Sequence, residues 1–354
     1  MKIQVLIVDD SEVYRLFLRK ILATETDIEV VSVASNGRLA LPRVNHYKPE
    51  VVLLDYEMPE LDGLAAIPEI KRLSPQSRII MFSAHTTTGA RLTLKALQAG
   101  ADDFITKPVG IPDGQVAEAI RKKLVERIRA FNERKRSPQP PTPSPLHTGI
   151  TPLHAVGRGG RRPGRGKFRY CAIGISTGGP PALRRVLKNI PDTIQGSIFI
   201  VQHMPPLFTQ QLAESLSEDS PLKVVEAADG MRPEKATVYI APGGRQMWLE
   251  NTEAPRIVVA DGDPQELCRP SVNILFRSLC AVAPEETLAV IMTGMGEDGY
   301  QGMRQLSERG AYLMAQAEED CVIFGMPAKP VRDGIIDEIH DAEGIAAKIT
   351  EYLK

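Results

Sequence analysis

Long apolar runs are missing from this 354-residue chain, and no segment reaches the length of a transmembrane helix. The run Ile3-Gln4-Val5-Leu6-Ile7-Val8, followed at once by Asp9-Asp10, is too short and wrongly flanked for a signal peptide. Cysteine is scarce. Cys171, Cys268, Cys280 and Cys321 are widely spaced and form no C-x-x-C pair, so they read as reduced, structural thiols in a cytoplasmic protein. Net charge is nearly absent, −1 from 43 basic and 44 acidic residues. That balance argues against a whole-molecule nucleic-acid surface and against membrane insertion. One stretch, 134–169, has no acidic residue at all; it holds nine Lys or Arg, seven prolines and six glycines. Such a segment cannot bury enough apolar surface to order itself and reads as a linker. Its basic half, 157–167, has no aromatic residue to stack on bases, which favours a solvated tether over an RNA-binding tail.

What is present is ordinary globular sequence, 43% hydrophobic and 25% charged, and long enough for two domains. From residue 1 to 125 strand-like runs at 3–8, 29–34, 51–54, 78–82 and 102–106 alternate with helical patterns. In the first helix Val13, Phe17 and Ile21 lie beside Tyr14, Leu18 and Leu22, two stripes forming one broad apolar face. Five βα units predict a doubly wound parallel sheet with its site at the carboxyl ends of the strands. Residues 126–168 comprise the end of a charged helix and the linker, and 169–354 form a second α/β module. Its strand-like runs are 170–174, 197–202, 223–226, 237–241, 256–260, 287–292 and 311–315. The expected class is therefore α/β twice over, a doubly wound (βα)5 domain and a mainly parallel, Rossmann-like one.

In the first module Asp9 and Asp10 follow strand 1, Asp55 closes Val51-Val52-Leu53-Leu54, Ser83 follows strand 4 and Lys107 follows strand 5. Three carboxylates together repel unless a cation sits among them, and hard oxygen donors suit Mg²⁺. A lysine and a hydroxyl opposite would hold the oxygens of an incoming phosphoryl group, so the site is suited to phosphorylating a carboxylate. The segments VDDS (8–11), LLDYEMPELDG (53–63), FSA (82–84) and TKP (106–108) resemble a response-regulator receiver domain. The resemblance implies Asp55 as phospho-acceptor, Asp9 and Asp10 with Asp55 as Mg²⁺ ligands, and Ser83 and Lys107 as phosphoryl sensors. It also implies Phe104 as an aromatic switch, a cis peptide at Lys107-Pro108 and a sensor histidine kinase as phosphodonor.

In the second module the apolar run Cys171-Ala172-Ile173 leads through a glycine turn to Ser176, and Pro180-Pro181-Ala182-Leu183 opens a helix. Gly174-x-Ser176-x-Gly178 matches the nucleophile elbow of serine hydrolases, although the same letters also read as a damaged dinucleotide loop ending at Gly179. The dinucleotide reading needs an acid after the next strand, and His203 stands there instead. A serine nucleophile needs a base and a carboxylate to orient it. Of the six histidines, His203 alone directly follows a strand of this module. Asp298 lies in the glycine-rich turn after 287–292, where it could equally cap the helix starting near Tyr300; Glu297 competes for the role. The N–H of Thr177, next after the serine at a helix start, is an oxyanion-donor candidate.

Together GISTGGP (174–180), VQHMPPLFT (201–209), IAPGG (240–244), CRPSVNILF (268–276) and MTGMGEDG (292–299) resemble the chemotaxis protein-glutamate methylesterases. That resemblance implies Ser176 as nucleophile, His203 as base, Asp298 as orienter and Met295 N–H as a second oxyanion donor, with no cofactor in this module. The implied substrates are glutamate methyl esters on chemoreceptors, with glutamine deamidation as a second activity. Ile175, Cys268 and the long basic linker depart from the family's pattern; the first two are expected to touch the chemistry little. Two other classes fit the same residues, a receiver-controlled hydrolase of another ester or amide and a non-catalytic docking regulator.

Overall fold

The computed structural model describes residues 2–84, 86–108, 114–136, 167–251 and 253–354. The chain divides into two compact units, Met1–Thr142 and Pro143–Lys354. Most of the expected linker, including its basic half, lies outside the described residues.

The first unit strictly alternates: β1 (Ile3–Val8), α1 (Glu12–Leu22), β2 (Ile28–Ala34), α2 (Gly37–Tyr47), β3 (Val51–Asp55), α3 (Gly63–Leu73), β4 (Arg78–Ala84), α4 (Thr87–Gln98), β5 (Asp103–Lys107) and α5 (Gly114–Arg136). The parallel sheet has the order β2-β1-β3-β4-β5. Helices cover both faces, which is why β3 can be apolar and buried at four successive positions, Val51 to Leu54. Register then gathers the polar strand ends. Val8 pairs with Leu54, so Asp9 and Asp55 emerge side by side, and Ala84 pairs with Lys107 one strand further on. Asn36, Asp62 and Thr86 cap α2, α3 and α4 by accepting from Leu39, Ala65 and Gly89 N–H.

Two details differ from the sequence reading, the burial of α1 and one peptide bond. The apolar face of α1 buries only Leu18, Ile21 and Leu22, because Val13 and Phe17 line an open groove facing α5. Helix α5 ends at Arg136, in accord with the charged helix read from the sequence, and buries Ile128 and Phe131 within this unit. The cis peptide expected at Lys107-Pro108 is not found; among the described residues the cis bond is Arg269-Pro270. Lys107-Pro108 keeps the trans form that X–Pro bonds favour by about 0.5–1 kcal/mol.

The second unit comprises β6 (Tyr170–Ile175), α6 (Gly179–Leu187), β7 (Ser197–Gln202), α7 (Phe208–Asp219), β8 (Lys223–Glu226), β9 (Thr237–Ile240), β10 (Gln246–Glu250), β11 (Arg256–Ala260), α8 (Val272–Val282), β12 (Thr287–Ile291), α9 (Tyr300–Glu308), β13 (Tyr312–Gln316), α10 (Ala328–Arg332), β14 (Glu338–His340) and α11 (Ala342–Tyr352). Seven strands form a sheet in the order β14-β13-β12-β6-β7-β9-β8, with every pair parallel. The run 256–260 is not part of it; as β11 it pairs antiparallel with β10 in a separate hairpin. The chain leaves β6 toward β7 on one side and returns to β12 on the other. That reversal opens a crevice at the carboxyl ends of β6, β7 and β12, the usual place for a site in such a sheet.

Candidate active site

Ser176 sits at this switch point. Its N–H donates to Thr293 O beyond β12 at 2.9 Å, and its carbonyl accepts from Gly179 N at 2.8 Å and Gln202 Nε2 at 2.9 Å. The serine backbone is thus tied to its own turn, to the end of β7 and to the loop after β12. Gly178 at φ +79° makes the turn possible, since a side chain there would be strained and would meet Val322 at 2.5 Å. Gly294 allows the loop after β12 to close on the serine, because an added Cβ would lie 2.7 Å from Ser176 Cβ. Thr177 is buried and its carbonyl accepts from Thr293 Oγ1 at 2.9 Å; Met295 directly follows Gly294 and is half-buried.

His203 is brought beside the serine by register. Ile175 pairs with Gln202, and His203 N–H donates back to Ile175 O at 3.1 Å. Its ring Nε2 lies 2.8 Å from Asp298 Oδ2. The same carboxylate accepts from Ser271 Oγ at 3.0 Å, Val272 N at 2.8 Å and Asn273 N at 3.1 Å. Val272 and Asn273 open α8, so Asp298 rests on free N–H groups and the positive end of a helix. It does not cap α9, whose N-cap is Gly299. Glu297, the competitor, turns away to Lys329 Nζ at 2.6 Å and is largely exposed.

The electrostatics follow from these partners. Burial opposes the charge on Asp298, but His203 and the helix N–H groups outweigh it and hold the carboxyl below its usual range. Burial likewise pulls His203 down, yet its bond to Asp298 and the neighbouring Cys268 prevail and push it up to about 9. Cys268, expected from the sequence to touch the chemistry little, lies beside His203 and Asp298. Ligand atoms of His203, Cys268 and Asp298 all lie within 4.8 Å of one another. Ser271, Gln202 and Thr293 were also not foreseen. A serine ahead of the apolar run Val272–Val282 signals a helix start, but its bond to Asp298 joins residues 27 apart.

The first unit gathers a second polar cluster. Lys107 Nζ lies 2.8 Å from both Asp9 Oδ2 and Asp55 Oδ2, above the rings of Tyr14 and Phe82. Asp9, Asp10 and Asp55 each bring one oxygen within 4.8 Å of the others. Burial and the neighbouring Asp9 push Asp55 up to about 6 against the pull of Lys107, and burial raises Asp9 as well. The cluster opens into a cleft of about 390 Å³ lined in part by Asp10, Asp55, Ser83 and Lys107. Ser83 Oγ is bonded to Thr93 Oγ1 at 2.8 Å, and Phe104 is half-buried on β5 beside Met81.

Fold and site together define a class of protein, a response-regulator receiver followed in one chain by a parallel α/β hydrolase domain. The receiver-domain profile matches residues 5–120 and that of the CheB methylesterase matches 171–349. The chain belongs to the CheB methylesterase family. Similar proteins include the protein-glutamate methylesterase/protein-glutamine glutaminase of Desulfitobacterium hafniense (strain Y51), 37% identical across 99% of this chain and 98% of that one. The protein of the same name from Bacillus subtilis (strain 168) is 39% identical across 99% of each chain. The crystal structure of the Thermotoga maritima CheB methylesterase catalytic domain is 36% identical with a TM-score of 0.51, covering 52% of this chain and 98% of that one.

Proposed function

We propose that this protein is a phosphorylation-activated methylesterase that hydrolyses glutamate methyl esters on chemoreceptors, releases methanol and deamidates receptor glutamines. The reading rests chiefly on one observation, the 2.8 Å His203–Asp298 pair beside Ser176 at the sheet's switch point. Asp298, kept ionised by α8, holds Nε2 and leaves Nδ1 of His203 to take the Ser176 proton. Ser176 Oγ adds to the ester carbonyl, and the oxyanion is met by the N–H groups of Thr177 and Met295. Collapse expels methanol with the proton from His203. Water, deprotonated by His203, then cleaves the glutamyl-serine ester and restores the enzyme.

In the receiver, Asp55 accepts the phosphoryl group from a sensor histidine kinase. The three carboxylates form an all-oxygen donor set in which burial, and then the neighbouring Asp9, favour the protonated form of Asp55, and a divalent cation would offset both. The residues therefore fit Mg²⁺, held by Asp9, Asp10 and Asp55, which supplies positive charge to the phosphoryl oxygens. Lys107 and Ser83 bind the phosphoryl group once it is on Asp55, and Phe104 repositions with β5. The protein acts in the cytoplasm; among the described residues no helix is long and apolar enough to cross a membrane.

Methanol release from methylated receptor fragments tests the reading. Ser176→Ala is expected to abolish it with the fold intact. Equal methanol release by the variant would remove the nucleophile assignment, and activity confined to unrelated esters would remove the substrate.

A further inference from the structure

Beside His203 stands a donor that hydrolysis by a serine does not use, the thiol of Cys268. Cys268 is half-buried on the loop before α8 and brings its sulfur within 4.8 Å of ligand atoms of both His203 and Asp298. One thiol, one imidazole and one carboxylate form a mixed soft-to-hard set that suits Zn²⁺, unlike the all-carboxylate cluster of the receiver. The three residues come from separate segments, after β7, before α8 and after β12, so the sheet and α8 hold them in place.

Their outer partners are in place as well. Cys268 O accepts from the buried Gln246 Nε2 at 2.7 Å, while Gln246 Oε1 accepts from Ser271 N at 2.7 Å. One amide thereby clamps both ends of the loop that carries the thiol. Asp298 is oriented by Ser271 Oγ and by Val272 and Asn273 N–H, the kind of support that ligating carboxylates receive. Tetrahedral zinc with these donors requires ligand atoms about 3.3–3.8 Å apart. Since all three ligand atoms lie within 4.8 Å of one another, no pair has to close by more than about 1.5 Å, within the reach of a cysteine rotamer change.

We propose that His203, Cys268 and Asp298 form a site for Zn²⁺ or a similarly thiophilic divalent metal, and that metal binding there switches the hydrolase off. On binding, the Cys268 S–H bond breaks and a sulfur–metal bond forms; the thiol proton, together with the proton that the His203 imidazolium must lose before its nitrogen can coordinate, leaves to solvent. No electron is transferred, so removal of the metal restores the thiol. His203 cannot serve as base while its lone pair is on the metal, and Asp298 is drawn away from orienting it. The thiol thus gives the active site a sensitivity to metal that a serine hydrolase has no need of.

The experiment uses the full-length protein with Co²⁺ as a spectroscopic probe and Zn²⁺ as inhibitor. A Co²⁺-thiolate charge-transfer band in the near ultraviolet is expected, together with tetrahedral d–d bands, and chelation should reverse both. Cys268→Ser keeps the side-chain volume and should lose the charge-transfer band; His203→Gln should weaken Co²⁺ binding tenfold or more. Ser176→Ala retains all three ligands and should keep the band, so the metal site can stand or fall independently of the esterase reading. Added Zn²⁺ should abolish methanol release by the wild type, with Cys268→Ser requiring on the order of 10–100 times more metal. No charge-transfer band in the wild type, a band that survives Cys268→Ser, or stimulation by Zn²⁺ would overturn the proposal.

Discussion

Asp55 and Asp298 are both largely buried aspartates at the carboxyl end of a parallel sheet, yet they are poised in opposite directions. Asp55 is pushed up to about 6, whereas Asp298 is held below the usual carboxylate range. Burial acts the same way on both; the donors around them do not. Asp298 collects Ser271 Oγ, two N–H groups at the start of α8 and the His203 ring. Asp55 receives Tyr56 N–H at 2.8 Å and a Lys107 that it must share with Asp9. A carboxylate surrounded by donors is a fixed anion suited to orienting a base. One crowded by a second carboxylate and served by a shared cation is left ready for an electrophile or a metal. The difference lies in what faces the residue, since the residue type and the strand-end position are common to both.

The largest expected effect comes from breaking the donor-rich side. Asp298→Asn replaces a fixed anion with a neutral amide and should lower kcat for methanol release by about 10³–10⁴-fold, as when the orienting aspartate of a triad is neutralised. A loss below tenfold would show that Asp298 is a cap for α8 and nothing more.

On the crowded side, phosphorylation of Asp55 should raise methanol release about tenfold, which needs only ~1.4 kcal/mol of bias between two arrangements. Residues 168–354 alone should exceed the unphosphorylated full-length protein by a similar factor if the receiver acts by blocking access. Equal rates would mean that the receiver activates positively. Labelling from a small phosphodonor should require Mg²⁺ and vanish in Asp55→Asn; a persisting label moves the acceptor elsewhere.

His203 sharpens the contrast through pH. As base it must be neutral, so with a pKa near 9 methanol release should climb between pH 7 and 9 and then level. Cys268→Ser removes one of the partners that raise it, and the acidic limb should move to lower pH. The advantage of the variant would then be greatest at acidic pH and disappear above pH 9. An unmoved limb would show that Asp298 alone sets the base.

The smallest effect is on stability. Because the folded pKa of Asp55 lies above its ordinary value of 3.8, the folded state holds more protons than the unfolded one between about pH 4 and 6. Stability therefore falls as pH rises through that window. Without Mg²⁺, Asp55→Asn should stabilise the receiver by about 1–2 kcal/mol at pH 7.5, with the gain fading as pH drops toward 4. Denaturant unfolding at the two pH values measures it, and a variant less stable than wild type at pH 7.5 would reverse the sign of the argument.

The sequence by itself determined the two α/β modules, the strand-end positions of Asp9, Asp55 and Lys107, and the turn that carries Ser176. These are local matters, since apolar runs of strand length and glycine-proline punctuation are readable in a window of a dozen residues. The local pattern left Asp298 and Glu297 both open and only the resemblance favoured Asp298. Which of the two faces His203 and the N-terminus of α8 is a tertiary matter, Asp298 doing so while Glu297 turns to Lys329. The tertiary structure alone brought Cys268 to His203, across 65 positions of sequence, and seated β10 and β11 outside the main sheet. Contacts of this kind join elements that are distant along the chain, so they exist only once strand order and register have closed the crevice; no local pattern encodes them.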